Sequence, residues 1–231
     1  MNPSVNPTHE ATLYFFGGQL LFEYRNPSGA IIKKCISPRA ARAAFAREAT
    51  DSDWLPPHTC RYGEGPKGTW IMLKQEPGRY PLTLADPLTV PGQADPLTML
   101  SVPLPGLLFL GVERQYFLWA FKTWKETNTA LYEVPLPNVH PSGAICFGDS
   151  TPPLASGTTI RKAWTLFWDS QFSNELTTNK SRAHTDNILT QLAELHTQQA
   201  REYPLNDLVR ARITIPKIIQ QLTETRNGQF P

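Results

Sequence analysis

The hydrophobic pattern of this chain changes its period once, and that change constrains the fold more than any other feature. Before residue 135 the apolar residues form short runs rich in β-formers, separated by turns. After residue 158 they recur at helical spacing, beginning with Ile160, Trp164, Phe167 and Trp168. The order is therefore strands, one extended loop and then helices. This order indicates an α+β fold in which helices cover an antiparallel sheet.

The predicted strands fall into two groups. Ala11 to Tyr24 reads as a β-hairpin because Gly17-Gly18 separates two β-rich runs, and Ala30 to Ile36 follows as a third strand. The remaining predicted strands, which form an antiparallel meander, are Thr69 to Gln75, Leu100 to Gly111, Gln115 to Lys122 and Ala130 to Val134. The sequence Ala-Asp-Pro-Leu-Thr occurs at residues 85–89 and again at 94–98. Two copies are too few for a repeat protein, so they predict a proline-rich loop.

Four helices are predicted. Ser37-Pro38 opens the first, Arg39 to Glu48, since serine is a good N-cap and proline fits the first helical turn. The second covers Thr159 to Leu176, and the third is marked by the apolar spacing of Ile188, Leu189, Leu192 and Leu195. The last covers Leu208 to Thr223, where Pro216 should kink or split it.

The length of 231 residues fits one large domain, or one domain with an appendage. We expect an N-terminal hairpin-and-helix extension over residues 1–50 that is part of the same globule. The core then covers residues 51–205, and a helical tail covers 206–231.

Composition excludes several classes of function. The 22 Lys and Arg against 20 Asp and Glu give a net charge of +2 without a dense basic run, so we expect no nucleic-acid partner. The longest apolar run, Val102 to Val112, is broken by two prolines and is shorter than the ~20 residues that cross a bilayer. With a polar N-terminus and three widely spaced cysteines, these features predict a soluble, cytoplasmic protein with reduced thiols and no membrane partner.

The segment Pro137 to Cys146 holds the residues that point most directly to chemistry. Asn138 lies eight positions before Cys146, and Gly143 lies three before it, so one loop can place a side-chain amide beside a thiol. A thiolate is both a good nucleophile and a good leaving group, which suits acyl transfer. The alternative is that Cys146 is a small buried hydrophobe. Cys35 and Cys60 are expected to be structural, and no metal site is predicted because two candidate ligands, His58 and Cys60, are too few.

Three polar residues near Cys146 each have a functional and a structural interpretation. Asn138 either donates a hydrogen bond to the oxyanion that forms when an amine attacks, or pins the loop through backbone bonds. His140 tunes the thiol or the acceptor amine, or is an ordinary surface residue. Asp149 orients an incoming lysine, or is a solvated turn residue.

These residues resemble the active-site segment of the ubiquitin-conjugating enzymes, which reads His-Pro-Asn, seven further residues and Cys, often ending Gly-x-Ile-Cys. Pro137, Asn138, Gly143, Ile145 and Cys146 are in register with it, and Leu136 stands where the family has its first histidine. Residues 135–148 resemble more closely the bacterial ubiquitin-conjugating-like family D, also called PRTRC system protein B.

The resemblance implies a ubiquitin-conjugating-enzyme-like fold. The N-terminal hairpin is an addition to the family pattern; its role stays open, and docking of the activating enzyme is one candidate. It implies that Cys146 accepts the C-terminus of a ubiquitin-like protein from a ThiF-type activating enzyme as a thioester and passes it to an amine. ATP is then consumed by the activating partner, and this chain needs no cofactor. A JAB-type metallopeptidase is expected in the same operon.

Two other functions stay open at this stage. One is a catalytically inactive binding or scaffold module of the same fold, which the loss of the signature histidine favours. The other is a cysteine hydrolase that combines Cys146 with His140 or with a more distant histidine.

Overall fold

The structure is a computed structural model that describes residues 11–16, 19–26, 28–38, 41, 54–92 and 94–224. The chain divides into two compact units, residues 1–52 and 53–231. The first unit contains an antiparallel sheet of β1 (Ala11–Phe16), β2 (Gln19–Arg25) and β3 (Ile31–Ile36), in that order. The glycine turn predicted at residues 17–18 lies outside the described residues, as does the helix predicted over residues 39–48 apart from Ala41.

In its described residues the second unit combines two sheets and three helices, which confirms the α+β class. A five-stranded sheet has the order β10-β9-β8-β5-β4, and a three-stranded sheet has the order β11-β6-β7. All neighbouring strands are antiparallel except β11 and β6. The strands are β4 (Thr59–Gly65), β5 (Gly68–Gln75), β6 (Gly78–Leu88), β7 (Leu97–Leu104), β8 (Gly106–Val112), β9 (Gln115–Phe121), β10 (Leu131–Glu133) and β11 (Gln171–Phe172); the helices are α1 (Ile160–Trp168), α2 (Ile188–Thr197) and α3 (Ile215–Thr223).

The central strands β8 and β9 are apolar on both faces because each face borders a separate core. Side chains alternate across a strand, so a strand that is buried on both sides has few polar positions. On one face Phe109 and Leu118 join a core that includes residues of α1, α2, β6 and β7. On the other face Leu110 and Trp119 join a second core with the apolar side of α3. The sheet is therefore the middle layer of this unit.

The predicted second helix is too long. Helix α1 ends at Trp168, and Phe172 lies in β11, which pairs in parallel with β6. The Ser170 hydroxyl donates to the Phe167 carbonyl at 2.7 Å and thereby satisfies an acceptor at the end of the helix. Phe172 still packs edge-on against Phe167, so the apolar spacing reflected a shared core and not a continued helix.

Pro216 begins a helix instead of kinking one. It lies in the first turn of α3, where a proline removes no intrahelical hydrogen bond. Thr214 is the N-cap, and its side chain accepts a hydrogen bond from the Lys217 amide. Residues 208–211, predicted as helix, are extended and pair by isolated bridges with Ser181 and Tyr132.

The region between β5 and β8 also differs from the prediction. The proline-rich loop is shorter than expected, because β6 and β7 extend into both copies of the repeat and pair Leu88 with Leu97. The single strand predicted from Leu100 to Gly111 is two strands, β7 and β8, which separate at Pro105. Proline cannot donate to a strand ladder, which explains the break. As a consequence β6 and β7 leave the central sheet.

Candidate active site

The loop that ends at Cys146 continues the central sheet along β9. The Leu118 amide donates to the Gly143 carbonyl at 2.8 Å, and the Ile145 amide donates to the Tyr116 carbonyl at 2.9 Å. Phe117 and Ala144 form an antiparallel bridge between them. The loop thus occupies the sheet position next to β9 that β10 occupies further along the strand.

Gly143 is required at its position for two reasons. Its φ is +93°, a region that L side chains rarely adopt. A Cβ there would lie 2.4 Å from the indole of Trp119, which is fully buried. The loop backbone can therefore lie against the Trp119 ring only because residue 143 has no side chain.

Cys146 lies at the end of a small hairpin closed by backbone hydrogen bonds. Its amide donates to the Asn138 carbonyl at 2.8 Å, and the His140 amide donates to the Ala144 carbonyl at 2.8 Å. Val139 and Ile145 form a bridge between these two bonds. Cys146 is an exposed residue.

The Asn138 side chain ties this hairpin to the segment after α1. Its Nδ2 donates to the Gln171 carbonyl at 2.8 Å, and its Oδ1 accepts from the Ser173 amide at 3.2 Å and from the Ser173 hydroxyl at 3.0 Å. Asn138 is buried and has a φ of +59°, which asparagine tolerates better than most residues. These contacts correspond to the loop-pinning interpretation of this residue. They leave the oxyanion role as a prediction.

We expect Asn138→Ala to destabilise the protein by about 2 kcal/mol, because it removes a buried side chain and leaves part-buried groups of Gln171 and Ser173 without this partner. Ser173→Ala removes only one donor to the same oxygen, so its cost should stay below about 1 kcal/mol. Urea denaturation of both variants measures the difference. Equal stabilities would contradict the pinning role of the amide.

The other sequence-predicted residues lie around the thiol without bonding it in the described structure. The exposed His140 ring contacts the Ser142 hydroxyl at 3.0 Å and accepts from the Ser142 amide at 3.2 Å. Asp149 is exposed in the turn that the Ser150 amide closes onto the Phe147 carbonyl at 3.1 Å. Leu136, at the position of the signature histidine, is fully buried in the first core.

The sequence did not predict the buried lysine that binds the Cys146 loop. Lys180 is buried, and its ammonium donates to the Val139 carbonyl. Burial lowers its pKa to about 8, although the Glu133 carboxyl opposes that change. Residues 177–187 are mostly polar and read as a surface loop, so nothing in the sequence marked this lysine as buried.

The other two cysteines are Cys35 and Cys60. Cys35 is exposed on β3, in the first unit. Cys60 is an exposed residue, but its thiol donates to the Met72 carbonyl at 3.5 Å, and partial burial of the thiol raises its pKa to about 11, which disfavours the thiolate at neutral pH. Within the described ranges, no three His, Cys, Asp or Glu side chains are grouped to hold a metal. No described helix is long and apolar enough to cross a membrane.

Comparison with known proteins gives one match. The family model described as "Prokaryotic E2 family D" matches residues 34–211. The matched range includes β4 to β11, α1, α2 and the whole Cys146 loop, and it ends before α3. No curated protein and no solved structure matches the chain significantly.

Proposed function

Because the chain belongs to prokaryotic E2 family D, and is therefore a ubiquitin-conjugating-like protein, we propose that it is an active conjugating enzyme. Cys146 accepts the C-terminus of a ubiquitin-like protein from a ThiF-type activating enzyme and holds it as a thioester. The acyl group then passes to an amine. A JAB-type metallopeptidase from the same operon fits this system as the protein that removes or processes the modifier.

The observation that carries the proposal is the exposure of Cys146 at the end of a hydrogen-bonded hairpin. The backbone that leads to Cys146 is held by hydrogen bonds with Tyr116, Leu118 and Asn138, and Cys146 itself is an exposed residue. A cysteine that served only as a core hydrophobe would be buried. An acyl carrier needs access and a fixed orientation, and this hairpin provides both.

The proposed reaction has two exchanges without a redox step. In the first, the Cys146 thiolate attacks the thioester carbonyl on the activating enzyme, a new C–S bond forms, and the activating enzyme's cysteine leaves as a thiolate. In the second, a neutral amine attacks the Cys146 thioester, a C–N bond forms, and the Cys146 thiolate leaves while the amine nitrogen loses a proton. Asp149 and His140 are the proposed groups beside the incoming amine, and Asn138 is the proposed oxyanion donor.

The test is incubation of this chain with ATP, the activating enzyme and the ubiquitin-like protein encoded in its operon. We expect an adduct that survives electrophoresis without reductant and disappears when a thiol reductant is added. Cys146→Ala should remove it completely. The double variant Cys35→Ser, Cys60→Ser is the matched control, and it should form the adduct at the wild-type rate. If the activating enzyme becomes charged but this chain forms no adduct, the proposal fails.

A catalytically inactive binding or scaffold module is the second candidate. It is favoured by Leu136 at the place of the signature histidine and by the Asn138 amide, whose bonds go to Gln171 and Ser173. For such a module, Cys146→Ala would leave binding of the ubiquitin-like protein and the modification pattern in cells unchanged. The conjugating enzyme predicts loss of the modification with binding retained.

A further inference from the structure

Lys180 is an unusual residue to find beneath an exposed loop. It is 1% exposed, and an ammonium group that is removed from water costs free energy unless it is well paired. Its Nζ donates to the backbone carbonyl of Val139. Val139 forms the bridge with Ile145, and it lies next to Asn138, whose carbonyl accepts the Cys146 amide. The ammonium therefore holds the strand of the hairpin that faces the cysteine.

The segment that carries Lys180 is itself fixed by Asp207. The Oδ1 of this buried carboxyl accepts from the Ser181 hydroxyl at 2.9 Å and from the amides of Arg182 at 2.9 Å and Ala183 at 2.8 Å. Its Oδ2 accepts from the Tyr203 hydroxyl at 2.8 Å. Burial opposes ionisation of Asp207, but these donors outweigh it and hold its pKa below the ordinary value. These hydrogen bonds to Asp207 thus hold the backbone next to Lys180 in place.

We propose that Lys180 is a positioning residue for Cys146, which acts through the Val139 carbonyl to hold the hairpin in the shape that presents the thiol. The role of the presented thiol rests on the proposed function, whereas the effect on the hairpin does not. A buried charge that stabilised only the fold would be replaced without loss by a hydrocarbon side chain of similar size.

The charged groups around Lys180 make the role testable by pH. The Glu133 carboxyl on β10 raises the Lys180 pKa and partly offsets the effect of burial. Burial in turn raises the pKa of Glu133, and Lys180, Arg212 and His140 oppose that change. One oxygen of Glu133, Oε2, is buried without a hydrogen-bond partner. The bond to Val139 is strongest while Lys180 is charged, so an opening of the hairpin that breaks this bond and leaves Lys180 buried should become easier as pH rises through about 8, although global unfolding becomes harder.

The experiment measures amide hydrogen exchange of His140 and Cys146, corrected for intrinsic rates, with the amides of β8 as the internal reference. At neutral pH, Lys180→Met should lower protection of these two amides by about tenfold and leave β8 unchanged. In the wild type, protection should fall as pH rises through about 8. Lys180→Met should not show this fall, and Glu133→Gln, which keeps the lysine, should move it to lower pH.

Lys162→Met, the same change at an exposed lysine of α1, is the matched control, and it should keep the wild-type protection of His140 and Cys146. The rate at which the Cys146 thiol reacts with a chromogenic disulfide, measured in the Cys35→Ser, Cys60→Ser background, should change in Lys180→Met and not in Lys162→Met. Wild-type protection in Lys180→Met, or a pH profile that Glu133→Gln does not shift, would overturn the proposal. Neither readout uses a partner protein. If the chain forms no adduct, the proposed function fails, but the measured effect of Lys180 on the hairpin is unaffected.

Discussion

Gly143→Ala is expected to destabilise the protein by about 4 kcal/mol, the sum of backbone strain and overpacking against Trp119. The φ of +93° is unfavourable for alanine, and the new Cβ would lie 2.4 Å from the buried indole. The indole is in the second core and has little room to move. We therefore expect the hairpin to detach from β9 before the core repacks. Chemical denaturation gives the stability, and exchange of the Leu118 and Ile145 amides reports the detachment.

Gly148→Ala is the control for this prediction. It lies on the other side of Cys146 and also has a positive φ, +58°, but a Cβ there meets nothing within 4 Å. Only backbone strain is added, so the cost should be about 1 kcal/mol. Equal costs for the two substitutions would show that contact with Trp119 does not fix the loop.

The second large effect is a dependence of stability on pH that Lys180 alone produces. Its pKa is about 8 in the folded protein against an ordinary value of 10.5. Between these values the unfolded chain binds the proton and the folded protein does not, so the free energy of unfolding rises with pH. At about 1.4 kcal/mol per pKa unit, the gain approaches 3 kcal/mol across that range. Below about pH 8 the full cost of the buried charge is present.

The measurement is the difference in unfolding free energy between wild type and Lys180→Met as pH is raised from about 7 to 10.5. Titrating groups that do not interact with Lys180 contribute equally to both proteins and cancel in the difference, whereas Glu133 interacts with it. We expect the difference to move in favour of the wild type by about 3 kcal/mol. Lys162→Met, the same change at an exposed lysine of α1, should follow the wild type at every pH. A difference that stays constant with pH would contradict the assignment of a buried ammonium.

The strand and helix periodicities are strong, and they predicted the fold class. The bounds of individual elements were wrong where a proline or an apolar residue fits two kinds of structure. Pro87 lies in the repeat predicted as a proline-rich loop, yet β6 continues to Leu88, which pairs with Leu97. Similarly, Phe172 continues the apolar spacing of α1 although the helix ends four residues earlier. Tertiary contacts decide both cases, and local patterns do not contain them.

The candidate site was predictable as a loop and not as a three-dimensional arrangement. The spacing of Asn138, Gly143 and Cys146 identified the segment, since all three lie within nine residues. The residues that hold it come from other parts of the chain: Trp119 from β9, Ser173 from the segment after β11, and Lys180 from a polar loop. Their spacing from Cys146 has no local signature.

The most direct test of the central claim is a map of the acyl acceptor. The Cys146→Ser variant is incubated with ATP, the ubiquitin-like protein and its activating enzyme, and the product is digested and sequenced by mass spectrometry. The account predicts an ester between the modifier's C-terminus and the serine introduced at position 146, stable to thiol reductants because an oxyester resists exchange with thiols better than a thioester does. A modifier attached at Cys35, Cys60 or a lysine, with residue 146 unmodified, would contradict it.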